Sequence, residues 1–215
     1  MKIIFCLPGN KFSGNFLSCW SELLLTCISK GIQPLLSQRY SCNIYYARTM
    51  CIGGDVTRGE NQAPFGGEVD YDYIMWIDSD IIFNPEQFFK LLDHKKDICS
   101  GLYLMEGGQR YACVKDWDEE FFEQHGHFNF LSPKDIENDK DLFKVNYVGM
   151  GWMLVKRGVF ESIRYPWFEP IRKKIGGFTD FTMEDVTFCH KAIENNYSIH
   201  IDPTIVVGHE KTVVL

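Results

Sequence analysis

Apolar residues along this chain of 215 residues switch between two spacings. KIIFCLP (2–8) is a short, nearly continuous apolar run closed by Pro8-Gly9, the pattern of a buried strand. Phe16, Leu17, Trp20, Leu23, Leu24, Cys27 and Ile28 then recur at helical spacing, and Gly31 ends that helix. QPLLSQRY (33–40) predicts a second strand, and CNIYYARTMCIG (42–53) a second helix closed by Gly53-Gly54. Residues 54–70 are polar and glycine-rich and predict a flexible loop, followed by the strand YDYIMWID (71–78). Asn84, Pro85 and Gln87 form an N-cap, a first helical position and a capping residue for the helix 85–94.

Beyond residue 96 the pattern continues with strands in DICSGLYLM (97–105) and RYACVK (110–115). Residues 116–141 are acidic and aromatic with little clear period, and predict an insertion or lid. FKVNYVGMGWMLVKRGVFESI (143–163) predicts a strand, a glycine turn, and a strand leading into a helix. Residues 182–196 predict another helix and 197–210 the last strands. Strand–helix alternation of this kind implies an α/β fold, a mostly parallel sheet with helices on both faces.

Composition narrows the function classes. With 45% hydrophobic residues there is ample core material for one domain. A formal charge of −7 argues against a general nucleic-acid or anionic-membrane binder, since both want a basic face. No apolar run is long enough to span a bilayer, and the N-terminus reads as a first strand rather than a signal peptide. The eight cysteines contain no C-x-x-C pair and mostly fall in apolar segments, so they read as reduced, buried thiols in a cytosolic setting, with no disulfide frame or zinc site. The apolar ending IVVGHEKTVVL suggests a domain taken from something longer.

One motif raises a chemical question. The apolar strand ending at Ile77 runs straight into Asp78-Ser79-Asp80, and adjacent carboxylates at a strand end are costly unless neutralised. In parallel sheets, ligands bind outside the carboxyl ends of the strands. In extended backbone, residues two apart point the same way, so both carboxylates would address one site, with Ser79 turned aside. A hard divalent cation, Mg²⁺ or Mn²⁺, suits such oxygen ligands and keeps positions for phosphates. The bland alternative is a turn whose aspartates bond their own backbone.

With that framing the chain resembles the nucleotide-sugar glycosyltransferases of GT-A fold, whose D-x-D motif holds a divalent metal against the donor diphosphate. The segments that carry the resemblance are IIFCLPG, YYARTMC, YIMWIDSDIIF, ICSGLYLM, VNYVGMGWMLVKRGVF, FTMEDVTFCHKA and VVGHE, in that order. Within the family the chain is similar to chlorovirus glycosyltransferase domains that act on the capsid glycoprotein. The resemblance implies a single GT-A domain over 1–215, with a Rossmann-like nucleotide-binding half near 1–100 and an acceptor-side half near 101–215. It implies transfer of a glucose-, mannose- or rhamnose-type sugar from a UDP-sugar to an oligosaccharide or glycoprotein acceptor, in the cytoplasm (the host cytosol if viral).

Site residues follow from the same resemblance. Asp80 is implied as a direct ligand of Mn²⁺ or Mg²⁺, Asp78 as a second ligand or ribose acceptor, and His209 as the third ligand, an imidazole that favours Mn²⁺. Pro8, Gly9, Arg48 and Ser79 are implied on the nucleotide side, and Gly149, Met150, Gly151 and Trp152 around the donor sugar. Asp185, with Glu184 second, is implied as the base of an inverting mechanism. Each has a plainer role on residue grounds: His209 as a strand-end histidine, Arg48 as a helix-surface residue, Trp152 as core. Thr182 to Asp185 also reads as a capping box, and a helix N-terminus would lower a carboxylate's pKa and weaken it as a base. Trp117, Phe121, Phe122, Phe128 and Phe130 either stack on an acceptor sugar or form the underside of the insertion.

The rival classes fit less well. A phosphotransferase with a nucleophilic D-x-D would place it on the first strand, which here ends LPGN; phosphate-loop and dinucleotide fingerprints are absent. A non-catalytic glycan- or nucleotide-sugar-binding module on the same fold is the remaining alternative.

Overall fold

A computed structural model describes residues 1–211. The first strand, β1 (Lys2–Pro8), leads into α1 (Gly14–Ser29), whose N-cap Ser13 accepts from the Phe16 N–H, and then into β2 (Gln33–Arg39) and α2 (Ile44–Cys51). The loop after α2 holds two short 3₁₀ turns before β3 (Tyr73–Ile77), β4 (Ile81–Ile82) and α3 (Pro85–Asp93). The reciprocal Asn84–Gln87 capping box expected at the start of α3 is present, with Pro85 in its first turn.

The second half begins with β5 (Ile98–Leu102), β6 (Cys113–Val114) and α4 (Glu119–His125). Next come β7 (Phe143–Val145), β8 (Tyr147–Val148), β9 (Trp152–Lys156), α5 (Val159–Ser162) and a hairpin of β10 (Arg172–Ile175) with β11 (Phe178–Phe181). The chain continues into α6 (Glu184–Glu194), β12 (Ile199–Val206) and β13 (Gly208–His209). Helix α4 lies in the stretch read as aperiodic; it is short, has no buried residue and so leaves no apolar stripe to read. The β10–β11 hairpin was likewise not foreseen, and β11 is exposed along its whole length.

The central sheet has the order β2-β1-β3-β9-β5-β12-β7. β2, β1 and β3 are parallel, as are β5 and β12, while β9 runs antiparallel to both β3 and β5 and β7 antiparallel to β12. The sheet is therefore mixed but mostly parallel, and it draws strands from both halves of the chain.

Strand alternation divides the core. Ile3, Phe5, Leu7, Met75 and Ile77 pack with Phe16 and Leu23 of α1 and Phe88 and Leu91 of α3 on one face. Ile4, Cys6, Ile74 and Trp76 pack with Cys51 of α2, Phe160 of α5 and Phe188 of α6 on the other. Cys6, Cys27, Cys51, Cys99, Cys113 and Cys189 are buried thiols, and all eight cysteines are free. No helix among the described residues is long and apolar enough to cross a membrane.

Candidate active site

The carboxyl ends of β1, β3 and β5 meet the turn that precedes β9, so Pro8-Gly9, Asp78 to Asp80, Tyr103 and Gly149 to Gly151 converge at one sheet edge. Gly9 has φ of +145°, and a Cβ there would lie 2.7 Å from the Ser79 side chain, so only glycine lets the first turn close onto the D-x-D segment. Gln38 donates to the Gly9 carbonyl from β2. A cavity of about 300 Å³ opens beside this contact, lined by Pro8, Gly9, Lys11, Tyr40, Ile44 and Ser79 among others.

The D-x-D segment is a turn, not extended strand. Asp78 N–H donates to the Gly151 carbonyl, and the Asp78 carbonyl accepts from Ile81 N–H. The extended, period-two backbone expected there is therefore not found, and the two carboxylates take different partners, Asp78 pairing with Arg48 and Asp80 with His209 and Lys211.

Asp78 faces Arg48. The guanidinium donates from Nη2 to Asp78 Oδ2 at 3.0 Å and from Nε to Glu184 Oε1 at 2.9 Å, and it lies over the Trp76 ring. Arg48 is 3% exposed and Glu184 5%, so these charges are removed from water and survive only by pairing. Burial opposes the charge on Arg48, but Asp78 and Glu184 outweigh it and raise the guanidinium pKa. Arg48 Nη1 and Asp78 Oδ1 are 2.9 Å apart yet neither makes a well-directed hydrogen bond, which leaves spare capacity in the pair.

Asp80 faces a second cluster. β13 pairs with β4, setting His209 opposite Ile81, and Glu210 N–H donates to the Asp80 carbonyl. His209 Nε2 lies 3.1 Å from Asp80 Oδ2, while Nδ1 lies 2.6 Å from the Leu104 carbonyl. Lys211 Nζ reaches the same carboxylate oxygen at 2.7 Å. Burial raises the Asp80 carboxyl, but hydrogen bonds from His209 and Lys211 prevail and hold it at about 2. The Asp80 hydrogen bond in turn raises the His209 pKa.

Among the described residues no three His, Cys, Asp or Glu side chains gather as a ready metal cage. The Asp80–His209 pair nevertheless suits a divalent cation. The Leu104 carbonyl takes the Nδ1–H, as backbone acceptors commonly do for metal-binding histidines, so Nε2, once free of the proton it shares with Asp80, is the nitrogen placed to bind a cation beside that carboxylate. Lys211 and His209 both converge on the Asp80 carboxylate, so its negative charge already faces hydrogen-bond donors.

The glycine turn before β9 has a reason inside the protein. A Cβ on Gly149 would fall 2.0 Å from the Tyr103 hydroxyl, and one on Gly151 3.1 Å from the same ring. Gly151 N–H donates to that hydroxyl, fixing Tyr103 between the turn and the His209 ring. Met150 and Trp152 are fully buried, Trp152 against Phe83, and neither presents surface to a ligand.

At the start of α6 the expected capping box is absent. Met183 is the N-cap without a side-chain bond, and Thr182 Oγ1 instead accepts from Ile171 N–H and meets Thr187 Oγ1. Asp185 accepts from the Tyr147 hydroxyl at 3.1 Å and from Val186 N–H. Burial, reinforced by the neighbouring Glu184 carboxylate, pushes its pKa up to about 7, so desolvation overcomes the helix-terminus effect expected from sequence. Sequence inspection missed Tyr103, Tyr147 and Lys211; a tyrosine two residues before the glycine turn was the only local signal for any of them.

A second cavity, of about 360 Å³, borders Tyr147, Met183 and Val186 and extends under the β10–β11 hairpin. Trp117, Phe122, Phe128 and Phe130 line it, whereas Phe121 stacks on His125 outside it.

Among solved structures, A197 from STIV matches over 99% of this chain and 87% of its own, at 15% identity and a TM-score of 0.58. GalNAc-T7, solved with UDP, GalNAc and Mn²⁺, matches over 99% of this chain and 44% of its own, at 10% identity and a TM-score of 0.51. At such identities the likeness is one of fold: the chain has the GT-A, Rossmann-like type of α/β architecture. No protein-family model matches the sequence, and no curated protein sequence is similar to it.

Proposed function

We propose that this protein is a metal-dependent glycosyltransferase that moves a hexose or deoxyhexose from a UDP-sugar to a glycan acceptor, of the capsid-glycoprotein kind that the sequence resemblance implies. The observation that carries this is a continuous line of contacts between two cavities. It runs from the Gly9–Ser79 contact through Asp78, Arg48 and Glu184 to Asp185 and Tyr147, with Asp80 and His209 beside it. The fold supports it by placing the D-x-D turn where such sheets bind ligands.

On this proposal Pro8, Gly9 and Ser79 receive the nucleotide in the smaller cavity. Asp80 and His209 would hold Mn²⁺ or Mg²⁺ in place of the Lys211 contact, while Asp78 and Glu184 keep Arg48 charged and fixed on the diphosphate side. A bound divalent cation would offset the charge that grows on the departing diphosphate. Gly149 and Gly151, by admitting Tyr103, shape the space for the donor sugar. In an inverting reaction Asp185 takes the proton from the acceptor hydroxyl. Its raised pKa suits a base near neutral pH, and Tyr147 holds its carboxylate in place.

The test is release of UDP from a panel of UDP-hexoses and UDP-deoxyhexoses with and without Mn²⁺. Release that needs both metal and Asp80 supports transfer. Saturable donor binding without release, in every acceptor tried, would make the chain a binding module instead.

A further inference from the structure

The larger cavity differs in chemistry from what a free sugar needs. Trp117 and Phe128 pack with ring centroids 3.7 Å apart, Phe122 joins them at 4.8 Å, and Phe178 meets Phe122 edge-on at 5.8 Å. Phe178 is 50% exposed and Phe181 64%, both on the hairpin that walls the cavity. Large aromatic side chains left half in water beside a cavity are unspent apolar surface.

Several polar groups around the cavity are engaged, although among the described residues the buried Trp117 Nε1–H has no hydrogen-bond partner. Thr182 Oγ1 is bonded to Ile171 N–H and Thr187 Oγ1, and His127 Nδ1 to the Phe128 carbonyl. Lys173 sits over the Trp117 ring and opposite Asp180 in the hairpin register. A polyhydroxylated ring lodged there would find few partners for its several hydroxyls beyond the Trp117 N–H and Lys173, and unpaired hydroxyls are penalised in binding sites. The cavity also adjoins Asp185, because its wall residue Tyr147 donates to that carboxylate.

Resting on the glycosyl-transfer proposal above, we infer that the acceptor carries an apolar, aryl-type group next to its reacting sugar, and that this group fills the aromatic cavity while the hydroxyl lies at Asp185. The insertion and the hairpin then act as a two-sided clamp that selects acceptors by what is attached to the sugar.

The test uses the whole chain and matched pairs of 4-nitrophenyl and methyl glycosides of glucose, galactose, mannose and xylose, with binding measured by calorimetry. For whichever sugar binds best, the aryl glycoside is expected to bind at least about tenfold more tightly than the methyl glycoside, equivalent to about 1.4 kcal/mol. Phe178→Ser should cut that preference to about twofold or less, and Phe181→Ser provides a second variant on the exposed wall should the first fail to fold. Equal affinity within the pairs, a preference that survives both substitutions, or UDP binding with no aryl glycoside binding would overturn the inference. Aryl binding by a protein that binds no UDP would instead leave the cavity assignment standing and remove the glycosyl-transfer proposal.

Discussion

The D-x-D turn and the region of the insertion and hairpin are built from opposite materials. Around the D-x-D turn the contacts are electrostatic: Arg48 is shared between Asp78 and Glu184, and Asp80 between His209 and Lys211. Around the insertion and hairpin they are mainly apolar, with rings against rings. Buried charges demand partners at fixed positions, so the first region is tightly specified. Apolar contact is non-directional, so the second can be assembled from short, exposed elements such as α4 and β11 without loss of its character. Asp185 stands at the seam, with Glu184 on one side and Tyr147 on the other.

The largest effect is expected in the charged region. Asp80→Ala should abolish metal-dependent release of UDP while leaving the circular dichroism spectrum unchanged, because Asp80 is part-exposed and carries no core packing. Retained metal-dependent turnover would remove it from the metal site.

At the seam, Asp185→Asn should lower kcat by about 10²-fold or more if the reaction inverts configuration. The wild-type rate should rise through pH about 7, as the carboxyl loses its proton, and the variant should lose that limb. Stability moves the other way. The folded carboxyl holds its proton up to about 7 whereas the unfolded one releases it near its ordinary value of 3.8. Between those values the folded state binds the extra proton, so this group's contribution falls as pH rises. Asp185→Asn should thus melt above the wild type at pH 8 and close to it near pH 4. A rate profile without that limb, or near-normal kcat in the variant, would point to a retaining route that leaves Asp185 no role as base.

Arg48→Met should destabilise the fold by about 3–5 kcal/mol, since it strands Glu184 and Asp78 without their cation. Denaturant midpoints would measure this, and a loss below about 1 kcal/mol would mean the cluster is wetter than its burial implies. The smallest change is Gly149→Ala, which should cost about 1–3 kcal/mol by driving a methyl into the Tyr103 hydroxyl. Adding Tyr103→Phe should recover part of that cost; strict additivity would show that the two do not touch.

Legibility in the sequence followed the range of the interaction. The strand 2–8 and the start of the helix at Pro85 were readable because a continuous apolar run, Pro and capping residues act within one element. The β10–β11 hairpin was not, because a strand of four exposed residues leaves no period to detect. The D-x-D motif was visible as residues, yet its geometry was misjudged, since the Ile81-to-Asp78 bond that bends it is a turn rather than a strand feature.

By itself, the sequence determined which residues face each side of the sheet and that an acidic pair closes the strand ending at Ile77. Those properties depend on hydrophobic period and on residues near in the chain. Only the tertiary structure decided that Asp78 and Asp80 take different partners, that Arg48 meets Glu184 across 136 residues, and that His209 meets Asp80 across 129. It also decided that burial rather than the helix terminus governs Asp185. A charge's partners and its exposure to water are set by where the completed sheet brings distant segments together, and local spacing carries no record of that.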